Sequence, residues 1–193
     1  MILDNKEFPY IFIIEVKKLN STEFNFLLGF ADDYIISRMS NKIPEMKRNA
    51  MLIANVLRKY LIKKYFDISF DGQQIKFNEC GKPYLFNDLV YFNVSYSEKY
   101  VVCAISDKNV GIDIQKIEKF NRKKVEYVFE SEIANMIENS ENPDLEYTKQ
   151  WTKLESFLKY KGTGFVGYKK GIDENLKQSY FYKDDYVVSL HWD

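Results

Sequence analysis

Apolar and polar positions change their period several times along the chain, and the changes mark out its elements. A bulky, β-branched run from Tyr10 to Val16 predicts a strand. Asn20-Ser21-Thr22 offers N-caps to a helix near Glu23 to Phe30, and Asp32 to Met39 suits a second. From Pro44 to about Tyr65, Ala50, Ile53, Leu57, Tyr60 and Leu61 recur at helical spacing, with Lys47, Arg48, Arg58 and Lys59 toward the rims. Short strands are expected around Ile75 to Phe77, Tyr91 to Ser95, Tyr100 to Ile105 and Val110 to Ile114. Ser106-Asp107-Lys108-Asn109 reads as a polar hairpin turn between the last two. Lys123 to Glu138 reads as one helical stretch. Asn142-Pro143 caps and starts another helix, which ends at Gly162. Strands near Tyr180 to Tyr182 and Tyr186 to His191 close the chain.

One stretch echoes another. Lys99-Tyr100-Val101-Val102-Cys103-Ala104 resembles Asp185-Tyr186-Val187-Val188-Ser189-Leu190, and each follows a shorter strand. Tyr-Val-Val is common in strands, so chance accounts for a match this short. The alternative is a duplicated unit with a site between its copies. That reading predicts an α/β (α+β) fold of two pseudo-symmetric halves, 1–106 and 107–193, each a small antiparallel sheet packed on a long helix. With no low-complexity linker between them, the halves should form a single compact unit.

Composition narrows the function. The 193 residues are 46% hydrophobic and 17% aromatic, enough for a substantial core, which excludes a disordered chain. Basic and acidic residues both number 28, so no basic excess points to nucleic acid. Local basic clusters at Lys47-Arg48, Lys63-Lys64, Arg122-Lys123-Lys124 and Lys169-Lys170 are mostly solvated faces, with one or two left to meet phosphates. The apolar run Tyr10 to Ile14 is too short to span a bilayer, and Met1 to Glu7 has an acidic bias rather than a secretory signal. Cys80 and Cys103 are therefore expected as reduced thiols of a cytoplasmic protein. His191 is the single histidine, and its place near the C-terminus argues against a Ser–His or Cys–His pair. Chemistry here must run on carboxylates, lysines and arginines.

Two motifs carry such groups. In Trp151-Thr-Lys-Leu-Glu155-Ser-Phe-Leu-Lys159-Tyr-Lys161-Gly162-Thr-Gly164, Glu155 and Lys159 share one helix face. They are either a surface ion pair or an acid and a base held side by side. In Val110-Gly111-Ile112-Asp113-Ile114-Gln115, the β-branched residues face a core while Gly111, Asp113 and Gln115 share the opposite face. A bare glycine beside a carboxylate and a carboxamide suits a site where a metal and a bulky anion approach the backbone.

Taken together, Gly111-Ile-Asp113-Ile, Trp151-x-x-x-Glu155-Ser-x-x-Lys159 and the glycine exit resemble a 4′-phosphopantetheinyl transferase of the surfactin-synthetase-activating type. The resemblance runs from about Arg38 to Phe165. Arg48, Gly81-Lys82-Pro83 and Asn93-Val94-Ser95-Tyr96-Ser97 fall in the family's order. The resemblance implies two pseudo-symmetric halves and transfer of the phosphopantetheine arm of coenzyme A to a serine of an acyl or peptidyl carrier protein. Mg²⁺ would be required and 3′,5′-ADP released. It assigns Asp113, Gln115 and Glu155 to the metal. Arg48, Lys82, Ser95, Tyr96 and Lys159 would bind coenzyme A. Glu155 would take the serine proton, and Lys159 would stabilise the leaving group. No nucleic acid or membrane partner is implied, and a monomer is expected. The carrier and its pathway are not legible.

Three positions depart from the family pattern. Gln115 stands where many relatives have a third acidic ligand, Tyr96 replaces a histidine, and Leu154 takes a place often held by lysine. Each removes charge, which weakens metal or phosphate binding. The alternative function is a catalytically weak carrier- or coenzyme-A-binding pseudo-enzyme. Lys116, Lys119, Arg122, Lys123 and Lys124, followed by Val125, Tyr127, Val128 and Phe129, form either a docking rim for an acidic partner or a solvated helix start that packs inward.

Overall fold

A computed structural model describes residues 9–40, 42–86, 89–166, 168 and 175–193. The first half opens with strand β1 (Tyr10–Glu15) and helices α1 (Ser21–Leu28) and α2 (Asp33–Arg38). Asn20 starts α1 by accepting from the Glu23 amide at 2.9 Å, while the Glu23 carboxylate accepts from the Asn20 amide at 3.0 Å. The long helix α3 (Glu45–Phe66) begins after Pro44 and stops at Asp67, which adopts the left-handed region at φ 54°. Strands β2 (Ile75–Phe77) and β3 (Pro83–Leu85) form a two-stranded ribbon, followed by β4 (Tyr91–Ser97) and β5 (Tyr100–Ser106). The second half runs through β6 (Val110–Lys116), α4 (Arg122–Val128), α5 (Ser131–Glu138), α6 (Pro143–Lys161), β7 (Lys177–Lys183) and β8 (Tyr186–Trp192).

The two main sheets have the same plan. One has the order β1-β5-β4 and the other β6-β8-β7, with every pair antiparallel. In each, the first strand pairs with the last, and the last closes a hairpin with the strand before it. The hairpins turn at Glu98 and Asp184, both in the left-handed region at φ 37° and 52°. Val16 donates to the Lys99 carbonyl at 2.7 Å just as Ile117 donates to that of Asp185 at 2.8 Å. The echoed tyrosines meet edge to face, Tyr100 against Tyr186 at 5.1 Å. The expected α+β fold of paired antiparallel sheets and long helices is therefore present.

Alternation explains the layering. Val102 and Ala104 of β5 join Ile112, Ile114, Val188 and Leu190 in one core shared by both sheets. Cys103 and Ile105, on the other face of β5, pack with Leu61 and Ile62 of α3. A separate core gathers Val125, Phe129, Ala134 and Ile137 against Tyr147, Leu154 and Leu158 of α6.

Several expectations need correction. β5 and β6 lie in different sheets, so Ser106 to Asn109 is a crossover and not a hairpin turn. The stretch 123–138 is two helices, broken at Phe129 and Glu130, whose extended backbones let the Phe129 ring turn into the core. β3, which begins at Pro83, is not among the expected strands. Arg58 is not on a rim but buried, ion-paired with Asp32, whose other oxygen accepts from Lys59 at 3.0 Å. Tyr60 is 52% exposed and not a core position.

Candidate active site

The site starts from a helix laid against a strand. A Cβ on Gly111 would lie 2.2 Å from the Ser156 carbonyl oxygen and 2.3 Å from the Tyr160 nitrogen. Only glycine lets the α6 backbone approach β6 so closely. The space beside Gly111 thus belongs to α6, and the expectation that it lies open to a metal or anion is corrected. Close approach carries Glu155 and Lys159 over the strand face that bears Asp113.

A second contact brings in β4. The Asn93 side-chain oxygen accepts from the Ile112 amide at 2.9 Å, pinning β4 to β6. Ser95, two residues along on the same face, then donates to Asp113 Oδ1 at 2.7 Å. Lys159 Nζ donates to the same oxygen at 2.5 Å and to Ser95 Oγ at 2.9 Å. Asp113 is 1% exposed, and its Oδ2 is buried without a hydrogen-bond partner. Burial pushes the Glu155 carboxyl above its ordinary range, the charge of Asp113 adds to the rise, and Lys159 opposes it. Glu155 and Lys159 line a cavity of about 260 Å³ with Gly81, Lys82, Asn93 and Phe165. Two carboxylates, one lysine and a serine hydroxyl therefore converge from β4, β6 and α6. Such a set can hold a cation, accept a proton and donate to an anionic leaving group.

The other expected residues distribute unevenly. Lys82 lines the same cavity, but its ammonium donates to Asn109 Oδ1 at 2.9 Å and to the Tyr160 carbonyl at 3.0 Å. Burial pulls its pKa down to about 8, with Asp193 opposing. Gln115 lines a neighbouring groove of about 940 Å³ with Lys123, Lys124, Tyr127, Trp151 and Phe165. Tyr96 packs on the α3 side with Ile53 and Leu57. Burial raises its hydroxyl pKa, with Arg38 opposing. Arg48 lines a pocket of its own, of about 440 Å³, with Glu45 and Asn49. Leu154 is fully buried in the α4–α5–α6 core, so a lysine there would face apolar side chains.

The basic segment after β6 also divides. Lys116 pairs with Glu98, Lys119 with Asp144, and Arg122 with Glu126 and Glu138. Val125 and Phe129 are buried, so they are not surface anchors. Lys123, Lys124, Val128 and the 87% exposed Tyr127 line the large groove. Lys169 and Lys170 lie outside the described residues. Among the described residues, no three His, Cys, Asp or Glu side chains gather into a metal cluster, and no helix is long and apolar enough to cross a membrane.

Sequence reasoning missed Asn93 as the clamp between sheets and Asn109 as the partner of Lys82. It also set aside His191, which is 1% exposed and bonded through Nδ1 to Ser156 at 2.9 Å. The signal was present: His191 sits two positions beyond Ser189 on the strand face turned to α6.

No family model matches the chain. Among curated proteins it is 31% identical over 170 residues to the 4′-phosphopantetheinyl transferase gsp of Aneurinibacillus migulanus, covering 80% of this chain and 71% of that protein. It is 27% identical to the 4′-phosphopantetheinyl transferase Sfp of Bacillus subtilis, over 58% of this chain and 52% of that protein. The L-aminoadipate-semialdehyde dehydrogenase-phosphopantetheinyl transferase of Saccharomyces cerevisiae is 28% identical over 80% of this chain and 62% of its own length. The chain thus spans about half of the Bacillus subtilis relative and rather more of the other two.

Proposed function

Because this chain belongs to the 4′-phosphopantetheinyl transferase family, we propose that it moves the 4′-phosphopantetheine arm of coenzyme A onto a serine of an apo acyl or peptidyl carrier protein. The observation that carries this reading is the Asp113 carboxylate, with one oxygen committed to Ser95 and Lys159 and the other buried without a partner beside Glu155.

A Mg²⁺ ion fits this donor set, since Asp113 Oδ2 lacks a partner and the two carboxylates repel each other. Asp113 and Glu155 would hold it, Gln115 would add a neutral carboxamide oxygen, and the bound ion would neutralise pyrophosphate charge. Glu155 takes the proton of the carrier serine, and its raised pKa makes it a better base than an ordinary glutamate. The serine oxygen forms a bond to the phosphorus that bears the pantetheine arm. The bond from that phosphorus to the oxygen of 3′,5′-ADP breaks, and Lys159 donates to the departing oxygens. Ser95 and Lys82 hold the pyrophosphate end, Tyr96 donates one hydrogen bond, and Arg48 meets the 3′-phosphate. The carrier docks along the groove of Lys123, Lys124 and Tyr127, which shares Phe165 with the Glu155 cavity.

The chain acts as one monomeric unit of two halves, 1–106 and 107–193, in the cytoplasm, with Cys80 and Cys103 as free thiols. The test is incubation with coenzyme A, Mg²⁺ and a panel of apo-carriers, reading the mass gain of the arm. Transfer that folded Glu155→Ala cannot perform supports the assignment. Coenzyme A binding without transfer to any carrier moves the chain to the pseudo-enzyme reading.

A further inference from the structure

On the flank of α6 turned away from Glu155, the helix and the edge hairpin β7–β8 enclose a second polar cavity of about 470 Å³. Lys149, Gln150 and Lys153 line it from the helix, and Gln178, Ser179, Tyr180, Ser189 and His191 from the hairpin. Gln178 lies opposite His191 and Tyr180 opposite Ser189 in the ladder, so these four share the sheet face beneath α6. The proposed transferase chemistry uses none of these residues.

His191 gives the cavity its character. Ser156 Oγ can donate its single hydrogen to the Lys153 carbonyl at 2.9 Å, and on that ground we assign the hydrogen of its 2.9 Å contact with His191 to Nδ1. The neutral ring then presents Nε2 as a bare lone pair, buried and without a partner. Burial, and secondarily the Lys153 charge, pull the His191 pKa down to about 4, so the ring is neutral near pH 7. Glu146 neutralises Lys149 and also accepts from Gln150 at 2.8 Å. Lys153 has no ion pair among the described residues. From β7, Tyr180 and Tyr182 stand near Lys149, and Lys177 is turned to the terminal carbonyl of Asp193 at 3.1 Å. From β6, Gly111 lies opposite His191 and carries no charge.

The cavity therefore holds uncompensated positive charge beside an acceptor that lacks a hydrogen. We infer that it binds a small oxyanion of the phosphate class that still carries an acidic O–H, with Lys153 meeting its anionic oxygens and His191 Nε2 accepting its hydrogen. A fully deprotonated oxyanion such as sulfate satisfies Lys153 but sets a lone pair against a lone pair at Nε2. The volume leaves room for a substituent, so inorganic phosphate and a phosphomonoester share this chemistry.

The chain has one histidine, so imidazole ¹⁵N signals report this site alone. At neutral pH and constant ionic strength, inorganic phosphate and glycerol phosphate should each shift Nε2 saturably. The midpoint should weaken as the pH rises and the protonated oxyanion disappears. Sulfate should bind at least about tenfold more weakly, the cost of one unmet buried hydrogen bond. Lys153→Gln, on the rim of the cavity, should weaken phosphate binding about tenfold or more while leaving carrier modification unchanged. A response to the ester alone supports the site and assigns it to the ester. An unmoved Nε2 with both probes, equal binding of sulfate, or equal binding by Lys153→Gln overturns the proposal. None of these outcomes bears on transfer at Glu155.

Discussion

Glu155→Gln should make the protein more stable and nearly inactive. Burial and the Asp113 charge both disfavour the Glu155 carboxylate, and Lys159 only partly offsets them. A carboxyl whose folded pKa is raised contributes stability at low pH and loses it as the pH rises through the folded value. Above its folded pKa the wild type therefore carries the full cost of that charge, and the glutamine variant carries none. Relief of such a functional-site conflict is worth about 0.5–2 kcal/mol. For a chain of 193 residues, each kcal/mol moves Tm by about 2–4 °C, so the variant should melt roughly 1–8 °C higher. The assay is thermal unfolding in chelator across pH. The two curves should converge as the pH falls below the ordinary glutamate pKa of 4.5, where both side chains are neutral, and separate above it. Adding Mg²⁺ should raise the melting temperature of the wild type more than that of the variant, because only the wild type keeps both carboxylates. Transfer should fall about 10²–10⁴-fold with the base gone. A variant less stable than wild type at neutral pH without metal would mean that Glu155 gains more from Lys159 than it loses. Full transfer by the folded variant would remove Glu155 from the reaction.

Arg48→Ala should raise KM for coenzyme A about tenfold or more, the worth of a charged phosphate contact, and barely affect dephospho-coenzyme A. An equal penalty for both substrates would place Arg48 away from the 3′-phosphate. Gln115→Glu should shift the Mg²⁺ dependence of transfer to lower concentration, because a third charged oxygen strengthens the site; superimposed titrations would take Gln115 off the metal. Reversing charge at Lys123 and Lys124 should raise carrier KM at low salt and leave coenzyme A binding alone. An unchanged carrier KM under those weakly screened conditions would exclude this groove as the docking surface.

What could be read from the sequence is what lies within one element. Period two along Val110 to Gln115 placed Asp113 opposite the core residues, and Asn142-Pro143 and Gly162 marked both ends of α6. Choices made between elements were not legible. A four-residue polar segment serves a hairpin or a crossover equally well, and here Asn109 holds the crossover by accepting from Lys82 and donating to the Tyr160 carbonyl at 2.9 Å. Arg58 has the spacing of a rim residue, yet Asp32, which lies 26 residues away, makes its burial tolerable. Gly111 was noticed for its missing side chain, but only the packed helix shows that backbone, not ligand, fills the gap.

The Glu155–Lys159 pair shows the limit most clearly. Helical spacing named both members, and the local rule would have them bond each other. The Lys159 ammonium instead donates to Asp113 and Ser95, which come from two strands at distances in sequence of 46 and 64 residues. A buried carboxylate competes better for a lysine than a helix neighbour does, because its attraction is less screened. Glu155 consequently has no ion pair among the described residues, and burial, with the Asp113 charge adding and Lys159 opposing, raises its pKa. The local pattern named two residues that converge on Asp113, and tertiary packing decided which of them Asp113 holds.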